Sequence, residues 1–141
     1  MINIIIGPPC AGKSTHIREQ AKAGDVLIDY DQIATAIGSD VPHQAKGDIR
    51  KVALSMRHRA IDEITKGIDA DSWIIHSNPS PLLLARYEEA GATFTMIDPG
   101  QADCIERASD RPEGTADAIA DWYANPPTLP QGDSIDDPIG K

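Results

Sequence analysis

The sequence predicts an α/β fold, an open parallel sheet of four strands with helices on both faces. Three observations support this prediction. Short apolar runs of strand length alternate along the chain with longer segments of helical periodicity. The first three runs are almost continuously apolar, which is typical of strands buried on both faces of a parallel sheet. The length of 141 residues suits one globular domain.

The four predicted strands are short. They comprise residues Ile2–Ile6, Val26–Ile28, 73–75 and Thr93–Ile97. A helical segment follows each strand, so crossover connections join consecutive strands and make them parallel.

Six helical segments separate or follow these strands. Gly24 and Gly38 come after the first two, and glycine commonly ends helices. Ser80 followed by Pro81 is a typical helix start. In the longest segment, apolar residues recur at steps of three and four. The predicted helices comprise residues 13–23, 31–37, 46–67, 81–90, 101–109 and 115–124.

The composition changes at residue 125, where proline and aspartate become frequent. We therefore predict one domain over residues 1–124. Residues 125–141 are expected to form an extended tail, either packed along the domain or disordered.

Charge and hydropathy exclude several classes of protein. The net charge of −9 argues against non-specific coating of nucleic acid. No apolar run approaches the ~20 residues that span a bilayer, so we expect no membrane partner. The first residues resemble no signal peptide, so the cytoplasm is the expected compartment. Two cysteines are too few for a disulfide scaffold or a zinc site.

Residues 46–66 are basic, with a net charge of +3 in an acidic chain. A basic helix of this kind either contributes to a site for an anionic substrate or forms an ordinary solvated face.

A phosphate-binding motif directly follows the first strand. Residues 7–14 match G-x-x-x-x-G-K-[ST] at every fixed position. Glycines at both ends let the backbone N–H groups turn towards phosphate oxygens, and the following helix N-terminus faces the same anion. Lys13 would contact the β- and γ-phosphates of ATP, and the Ser14 hydroxyl would ligate Mg²⁺. The predicted nucleotide-binding residues are Gly7, Pro8, Pro9, Cys10, Ala11, Gly12, Lys13, Ser14 and Thr15.

The motif specifies a nucleoside triphosphate but no particular reaction. A GTPase would carry a guanine-reading Asn-Lys-x-Asp motif, and the sequence has none. A motor ATPase would have an acidic pair at the end of its third strand, where this chain has His76, Ser77 and Asn78. These observations favour a small kinase over a hydrolytic switch or motor.

Two carboxylates follow the second strand. Asp29 and Asp31 lie at the strand's carboxyl end, the edge at which open parallel sheets bind ligands. We predict that Asp31 accepts the proton of an attacking hydroxyl. The alternative is that Asp31 only caps the next helix. Asp29 is a candidate substrate-binding residue, with a Mg²⁺ contact or a structural role as alternatives.

Arg107 and Arg111 are four residues apart and precede a Pro- and Gly-containing loop. We predict that this segment is a lid whose guanidinium groups stabilise the transferring phosphoryl group. The alternative is a surface ion pair such as Asp103 with Arg107.

Together these motifs resemble the kinase domain of phage polynucleotide 5′-hydroxyl kinases and related small P-loop kinases. The resemblance covers residues 1–124 and implies a four-stranded sheet with a tunnel-like active site. It assigns nucleotide binding to Lys13 and Ser14, the general base to Asp31, and the lid arginine to Arg107, with Arg111 as a second.

The sequence departs from that family at two places. The family has an acceptor-binding arginine three residues after the base, where this chain has Ala34. The family also tends to have Asp-Thr-Asn after its third strand, at the position of His76. The acceptor-binding role is then expected on the basic helix, at Arg50 and Arg57.

The sequence therefore predicts an ATP- and Mg²⁺-dependent kinase. Its expected acceptor is the 5′-hydroxyl of a nucleic acid end or a nucleotide-like molecule. The alternatives are a kinase of nucleoside monophosphates or small metabolites, including a toxin acting on a sugar nucleotide, and a non-catalytic ATP-binding regulatory module.

Overall fold

The computed structural model describes residues 1–41, 43, 45–130 and 134–136. Within them the strands are β1 (Ile2–Ile6), β2 (Val26–Ile28), β3 (Ser72–His76), β4 (Thr93–Ile97) and β5 (Ser134–Asp136). The helices are α1 (Lys13–Gln20), α2 (Tyr30–Ala36), α3 (Gly47–Lys66), α4 (Pro81–Glu89), α5 (Gln101–Arg107) and α6 (Thr115–Ala124). A short 3₁₀ turn, Ala108–Asp110, follows α5.

The sheet has the order β2-β3-β1-β4-β5, and all of its pairs are parallel. The register places Ile4 between Ile74 and Phe94. This confirms the predicted α/β fold and the four predicted strands. Parallel pairing also brings the carboxyl ends of β1, β2, β3 and β4 to one edge.

The fifth strand is the part of the sheet that sequence reasoning missed. Residues Ser134–Asp136 pair with β4, with Ile135 opposite Met96. Before it, Leu129 packs against the sheet's core. Part of the predicted tail therefore lies along the domain, whereas residues 131–133 and 137–141 lie outside the described residues. The boundary at residue 124 stays a prediction.

The hydrophobic core lies on both faces of the sheet. Alternate residues of β1 point to opposite sides: Ile4 and Ile6 pack with α3 and α4, while Ile5 packs against α1, α5 and α6. The first side contains Ile61, Ile64, Leu84, Tyr87 and Phe94. The second contains Ile17, Ile97, Cys104 and Ile119. Helices on both faces were predicted and are confirmed.

Some helix ends differ from the prediction. Helix α1 ends at Gln20 rather than at residue 23, so Gly24 lies in the following turn. Asp29, not Asp31, caps α2, since its side chain accepts a hydrogen bond from the backbone N–H of Asp31. The predicted cap at Ser80 is present, where Oγ accepts from Leu83 N at 3.2 Å.

Among the described residues, none of the helices is both long enough and apolar enough to cross a membrane.

Gly7 is the first residue of the phosphate-binding motif and directly follows β1, at a position where the backbone of Ile97 leaves no space for a side chain. A Cβ at this position would lie 2.4 Å from the carbonyl oxygen of Ile97. We expect Gly7→Ala to lower the free energy of unfolding by about 1–3 kcal/mol, because a backbone segment has to move. Chemical denaturation measures this loss.

Gly91→Ala is the matched control for Gly7→Ala. Gly91 has a φ of +81° but nothing within 4 Å of the added Cβ. Its cost, about 1–2 kcal/mol, arises from the left-handed backbone alone. A Gly7→Ala protein that unfolds at the same denaturant concentration as the unmodified protein would contradict the close contact with Ile97.

Candidate functional site

A cavity of about 620 Å³ opens at the carboxyl-terminal edge of the sheet. Its wall combines the loops after β1, β2 and β3 with α3 and α6. Five of the described lining residues are basic and two are acidic, so the cavity is electropositive in an acidic chain. The basic ones are Lys13, Arg18, Arg50, Arg57 and Arg111, and the acidic ones are Asp29 and Asp31.

The phosphate-binding motif forms one wall. Residues 9–15 line the cavity, whereas Gly7 and Pro8 are buried behind it. Cys10 and Gly12 have φ angles of +65° and +100°, and these left-handed residues curl the loop before α1 begins at Lys13.

Lys13 lies inside this curl. Its Nζ donates to the carbonyl oxygens of Gly7 at 2.6 Å and Pro8 at 2.8 Å, and to Ser77 Oγ at 3.3 Å. Burial lowers the pKa of Lys13 from 10.5 to about 8. No carboxylate of the described residues lies within 4.0 Å of this ammonium, which suits a partner that brings its own negative charge.

Ser14 and Asp29 lie side by side across the cavity floor. Ser14 Oγ donates to Asp29 Oδ2 at 3.4 Å, while Asp29 Oδ1 caps α2. A hydroxyl beside a carboxylate provides the hard oxygen ligands that Mg²⁺ prefers. The described residues contain no group of three or more His, Cys, Asp or Glu side chains arranged around a metal. This pair fits an ion that keeps water and substrate oxygens as its other ligands.

Asp31 lies in the first turn of α2 and lines the same cavity. Its Oδ2 accepts a hydrogen bond from His43 Nδ1 at 2.8 Å. His43 comes from the loop between α2 and α3 and has a φ of +62°. Sequence reasoning gave His43 no role, since no sequence pattern predicts a contact between a loop residue and a helix residue twelve positions earlier.

The two arginines of the predicted lid point to different places. Arg111 lines the cavity together with Thr115 of α6. Arg107 is not among the lining residues, and its Nη1 donates to the carbonyl oxygens of Cys10 and Ala11 at 3.3 Å. Arg107 therefore contacts the phosphate-binding motif, and Arg111 is the one of the two arginines that lines the cavity.

Some basic residues of helix α3 belong to the cavity, as expected for an anion-binding site, and others form a solvated face. Arg50 and Arg57 line the cavity, whereas Lys51, Arg59 and Lys66 are exposed outside it. Arg57 is anchored by the end of β3, because its Nη2 donates to Ile75 O at 3.0 Å and to His76 Nδ1.

His76 is a site residue that sequence reasoning passed over. It is 6% exposed, and burial, with Arg57 and Lys13 nearby, lowers its pKa to about 3. Tyr87 lies beneath it, with Oη 2.5 Å from His76 Nε2. The sequence feature that could have identified His76 is its position at the end of a buried strand, because ligands bind at this edge of a parallel sheet.

The structure thus brings the predicted residues together except at three places. Gly7, Pro8 and Arg107 lie behind or beside the cavity wall rather than in it. Ala34, at the position of the missing acceptor arginine, is 2% exposed and packs in the interior.

Solved structures with a similar fold are known, although their sequence identity to this chain is below 20%. No family model matches the chain, and no curated protein matches it. Among solved structures, a chain of the Pnkp1/Rnl/Hen1 RNA repair complex superposes with a TM-score of 0.66 at 19% identity. The match covers 87% of this chain and 42% of that one, so this chain spans less than half of its length.

Two further solved structures are similar. Shikimate kinase from Acinetobacter baumannii, in complex with shikimate, has a TM-score of 0.55 at 18% identity, covering 87% of this chain and 74% of that one. The tunicamycin resistance protein of Deinococcus radiodurans has a TM-score of 0.53 at 15% identity, covering 94% and 87%. With a phosphate-binding motif at the edge of a parallel sheet, the chain has the fold of the P-loop kinases.

Proposed function

We propose that this protein is an ATP-dependent kinase that transfers the γ-phosphate to a hydroxyl acceptor, the 5′-hydroxyl of a polynucleotide. One observation carries the proposal. Lys13, in the phosphate-binding motif, and Asp31, at the end of the second strand, line one electropositive cavity. A phosphate-binding cation and a potential base in the same cavity are the minimum that phosphoryl transfer needs.

The proposed roles follow from the placement of each residue. The backbone of residues 9–15 and Lys13 would bind the nucleotide's phosphates. Ser14, with Asp29, would hold Mg²⁺, which supplies charge neutralisation at the phosphate oxygens when bound. Arg111 reaches the cavity from the lid, while Arg107 fixes the lid on the motif. Arg50 and Arg57 would face the acceptor.

In the proposed step, Asp31 takes the proton of the acceptor hydroxyl. The acceptor oxygen forms a bond to the γ-phosphorus, and the bond from that phosphorus to the bridging oxygen breaks, leaving ADP with the electron pair. His43 donates to Asp31 and thereby orients its carboxylate towards the cavity.

A small anionic metabolite or a nucleoside monophosphate is the second candidate acceptor. The resembled polynucleotide kinases have an acceptor-binding arginine at one position, where this chain has the buried Ala34 instead. The similar shikimate kinase is a metabolite kinase by name. A non-catalytic nucleotide-binding module is the third candidate, since β3 ends in His76 without a carboxylate.

The acceptor is tested by offering labelled ATP and Mg²⁺ with each acceptor class in parallel. The panel is a 5′-hydroxyl DNA oligonucleotide, a 5′-hydroxyl RNA oligonucleotide, nucleoside monophosphates and shikimate. Label on an oligonucleotide supports the proposal. Label found only on a mononucleotide or on shikimate would replace the polynucleotide as the proposed acceptor. ATP binding without transfer to any acceptor would support the non-catalytic nucleotide-binding module.

The lowered pKa of Lys13 makes nucleotide binding depend on pH. In the free protein this pKa is about 8. Bound phosphates favour the ammonium and raise the pKa, so binding takes up a proton above pH 8. We expect the ATP dissociation constant to rise as pH increases beyond about 8. Calorimetry at pH 8.5, in two buffers of different ionisation enthalpy, measures the proton uptake.

The control for this pH dependence is Lys13→Met, which removes the titrating group. Its weaker ATP binding should show no such proton uptake. A dissociation constant that stays constant from pH 7 to 9.5 in the unmodified protein would contradict the prediction.

A further inference from the structure

Two aromatic side chains near the end of helix α6 bind it to the sheet. Trp122 Nε1 donates to the carbonyl oxygen of Ser77 at 2.6 Å. On the next residue, Tyr123 Oη donates to Asp98 Oδ1 at 2.6 Å. Ser77 directly follows β3 and Asp98 directly follows β4, the two strands that flank β1. The end of α6 is therefore held on both sides of the strand that leads into the phosphate-binding motif.

Ser77 makes a second contact, with the lysine of that motif. Its Oγ accepts a hydrogen bond from Lys13 Nζ at 3.3 Å, while its carbonyl oxygen accepts the one from Trp122. Trp122 is 4% exposed, whereas Ser77 is exposed and lines the cavity. A buried indole N–H needs an acceptor, and here that acceptor is the backbone of Ser77. The indole thus fixes an exposed residue whose side chain contacts the ammonium.

The contact with Ser77 differs from the other two contacts of the ammonium. Gly7 O and Pro8 O belong to the phosphate-binding motif itself, whereas Ser77 belongs to the segment after another strand. Because the lysine is buried, its charged form depends on these acceptors. The place and the charge of the ammonium therefore depend on where the end of β3 lies, and Trp122 determines that place.

Other titratable groups also act on this ammonium. They are the thiols of Cys10 and Cys104, the carboxylates of Asp29 and Asp31, and the neutral ring of His76. Substitutions at Ser77 and Trp122 leave all of these groups in the protein, so a change in the ionisation of Lys13 in those variants reports the contact with Ser77.

We propose that Trp122 is a positioning residue for nucleotide binding, because through Ser77 it fixes the place of the Lys13 ammonium. Phosphate binding at the motif then depends on the docking of α6, the helix whose first residues line the same cavity. The inference rests on the proposed function, in which Lys13 binds the phosphates of ATP.

The first experiment follows the ionisation of Lys13 in the nucleotide-free protein, so it needs neither ATP nor transfer. In protein with ¹³C-labelled lysine, the Cε resonance of Lys13 is the one that Lys13→Met removes. We expect a titration midpoint at about pH 8 in the unmodified protein. Ser77→Ala and Trp122→Phe should each lower the midpoint by about 0.5–1 pH unit, because the ammonium loses an acceptor. The double variant should shift no further than Ser77→Ala alone.

Tyr123→Phe is the matched control for Trp122→Phe. It removes the neighbouring hydrogen bond between α6 and the sheet, the one to Asp98, and leaves the contact with Ser77 in place. The midpoint should not change in this variant, even where thermal melting shows an equal loss of stability. Ser77→Thr keeps a hydroxyl at the position and should restore the midpoint.

The second experiment measures the same coupling with ATP. At pH 7, Ser77→Ala and Trp122→Phe should weaken ATP binding about 3- to 10-fold, while Tyr123→Phe leaves it unchanged. Coupling is reciprocal, so ATP must in turn change the surroundings of Trp122. The chain has two tryptophans, and Trp73→Phe leaves Trp122 as the fluorophore. We expect ATP to change the emission of this protein and Ser77→Ala to abolish that change.

The outcomes separate this inference from the proposed function. A midpoint that stays constant in Ser77→Ala, or that falls equally in Tyr123→Phe and Trp122→Phe, overturns the inference even if transfer occurs. The predicted shifts in a protein that binds no ATP would support the positioning of Lys13 and refute the kinase. If Trp122→Phe proves unfolded, the emission of Trp122 decides, since an ATP-dependent change that persists in Ser77→Ala contradicts the route through Ser77.

Discussion

Asp31→Asn is expected to lower phosphoryl transfer by about 10²- to 10⁴-fold, the usual contribution of a general base. The amide has the shape of the carboxylate and keeps a hydrogen bond with His43, but it cannot take the acceptor's proton. ATP affinity should change little, because the nucleotide is expected to bind at residues 9–15 and Lys13. Single-turnover transfer and equilibrium ATP binding measure the two quantities separately.

The matched control for this substitution is Asp69→Asn. Asp69 is exposed and does not line the cavity, and its substitution removes the same charge. Transfer should be unaffected in that variant. Transfer that survives in Asp31→Asn would remove Asp31 from the mechanism and leave its hydrogen bond with His43 as a structural contact.

Lys13→Met is expected to reduce transfer about 10²- to 10³-fold, the loss seen when a fixed donor to a developing charge is removed. It should also weaken ATP binding at least about 10-fold, since a charge-assisted contact is lost. Stability should not fall. Burial disfavours the charged lysine in the folded protein, as its lowered pKa shows, and methionine avoids that cost. Labelled transfer, ATP titration and thermal melting test the three expectations.

Lys51→Met is the control for Lys13→Met. Lys51 is exposed on α3 outside the cavity, so its substitution should leave all three measurements unchanged. A Lys13→Met protein with wild-type ATP affinity would contradict a role for this side chain in phosphate binding.

The fold was largely predictable because its signals are local. Apolar strands of three to five residues and the sequence of residues 7–14 specified β1 to β4, the crossovers and the edge that carries the site. The fifth strand was missed since Ser134–Asp136 stands in a Pro- and Asp-rich segment, where only pairing with β4 favours an extended conformation. The end of α1 was misplaced because the chain is already extended at Ala21, three residues before Gly24.

The candidate site was predictable only in part. Lys13, Ser14, Asp29 and Asp31 follow from their place after strands in a parallel sheet. His43 and Tyr87 reach the site through contacts between separate elements, which no spacing in the sequence records.

The partners of the site's arginines were equally unpredictable from the sequence. Arg107 bonds to carbonyl groups 96 and 97 residues away, and its direction therefore depends on the packing of α5.

The most direct test of the proposed function follows the γ-phosphate itself. With labelled ATP, Mg²⁺ and a 5′-hydroxyl oligonucleotide, we predict label on the oligonucleotide well in excess of free inorganic phosphate, and loss of that label in Asp31→Asn. Label that appears only as inorganic phosphate, for every acceptor in the panel, would contradict the account and identify the protein as a hydrolase.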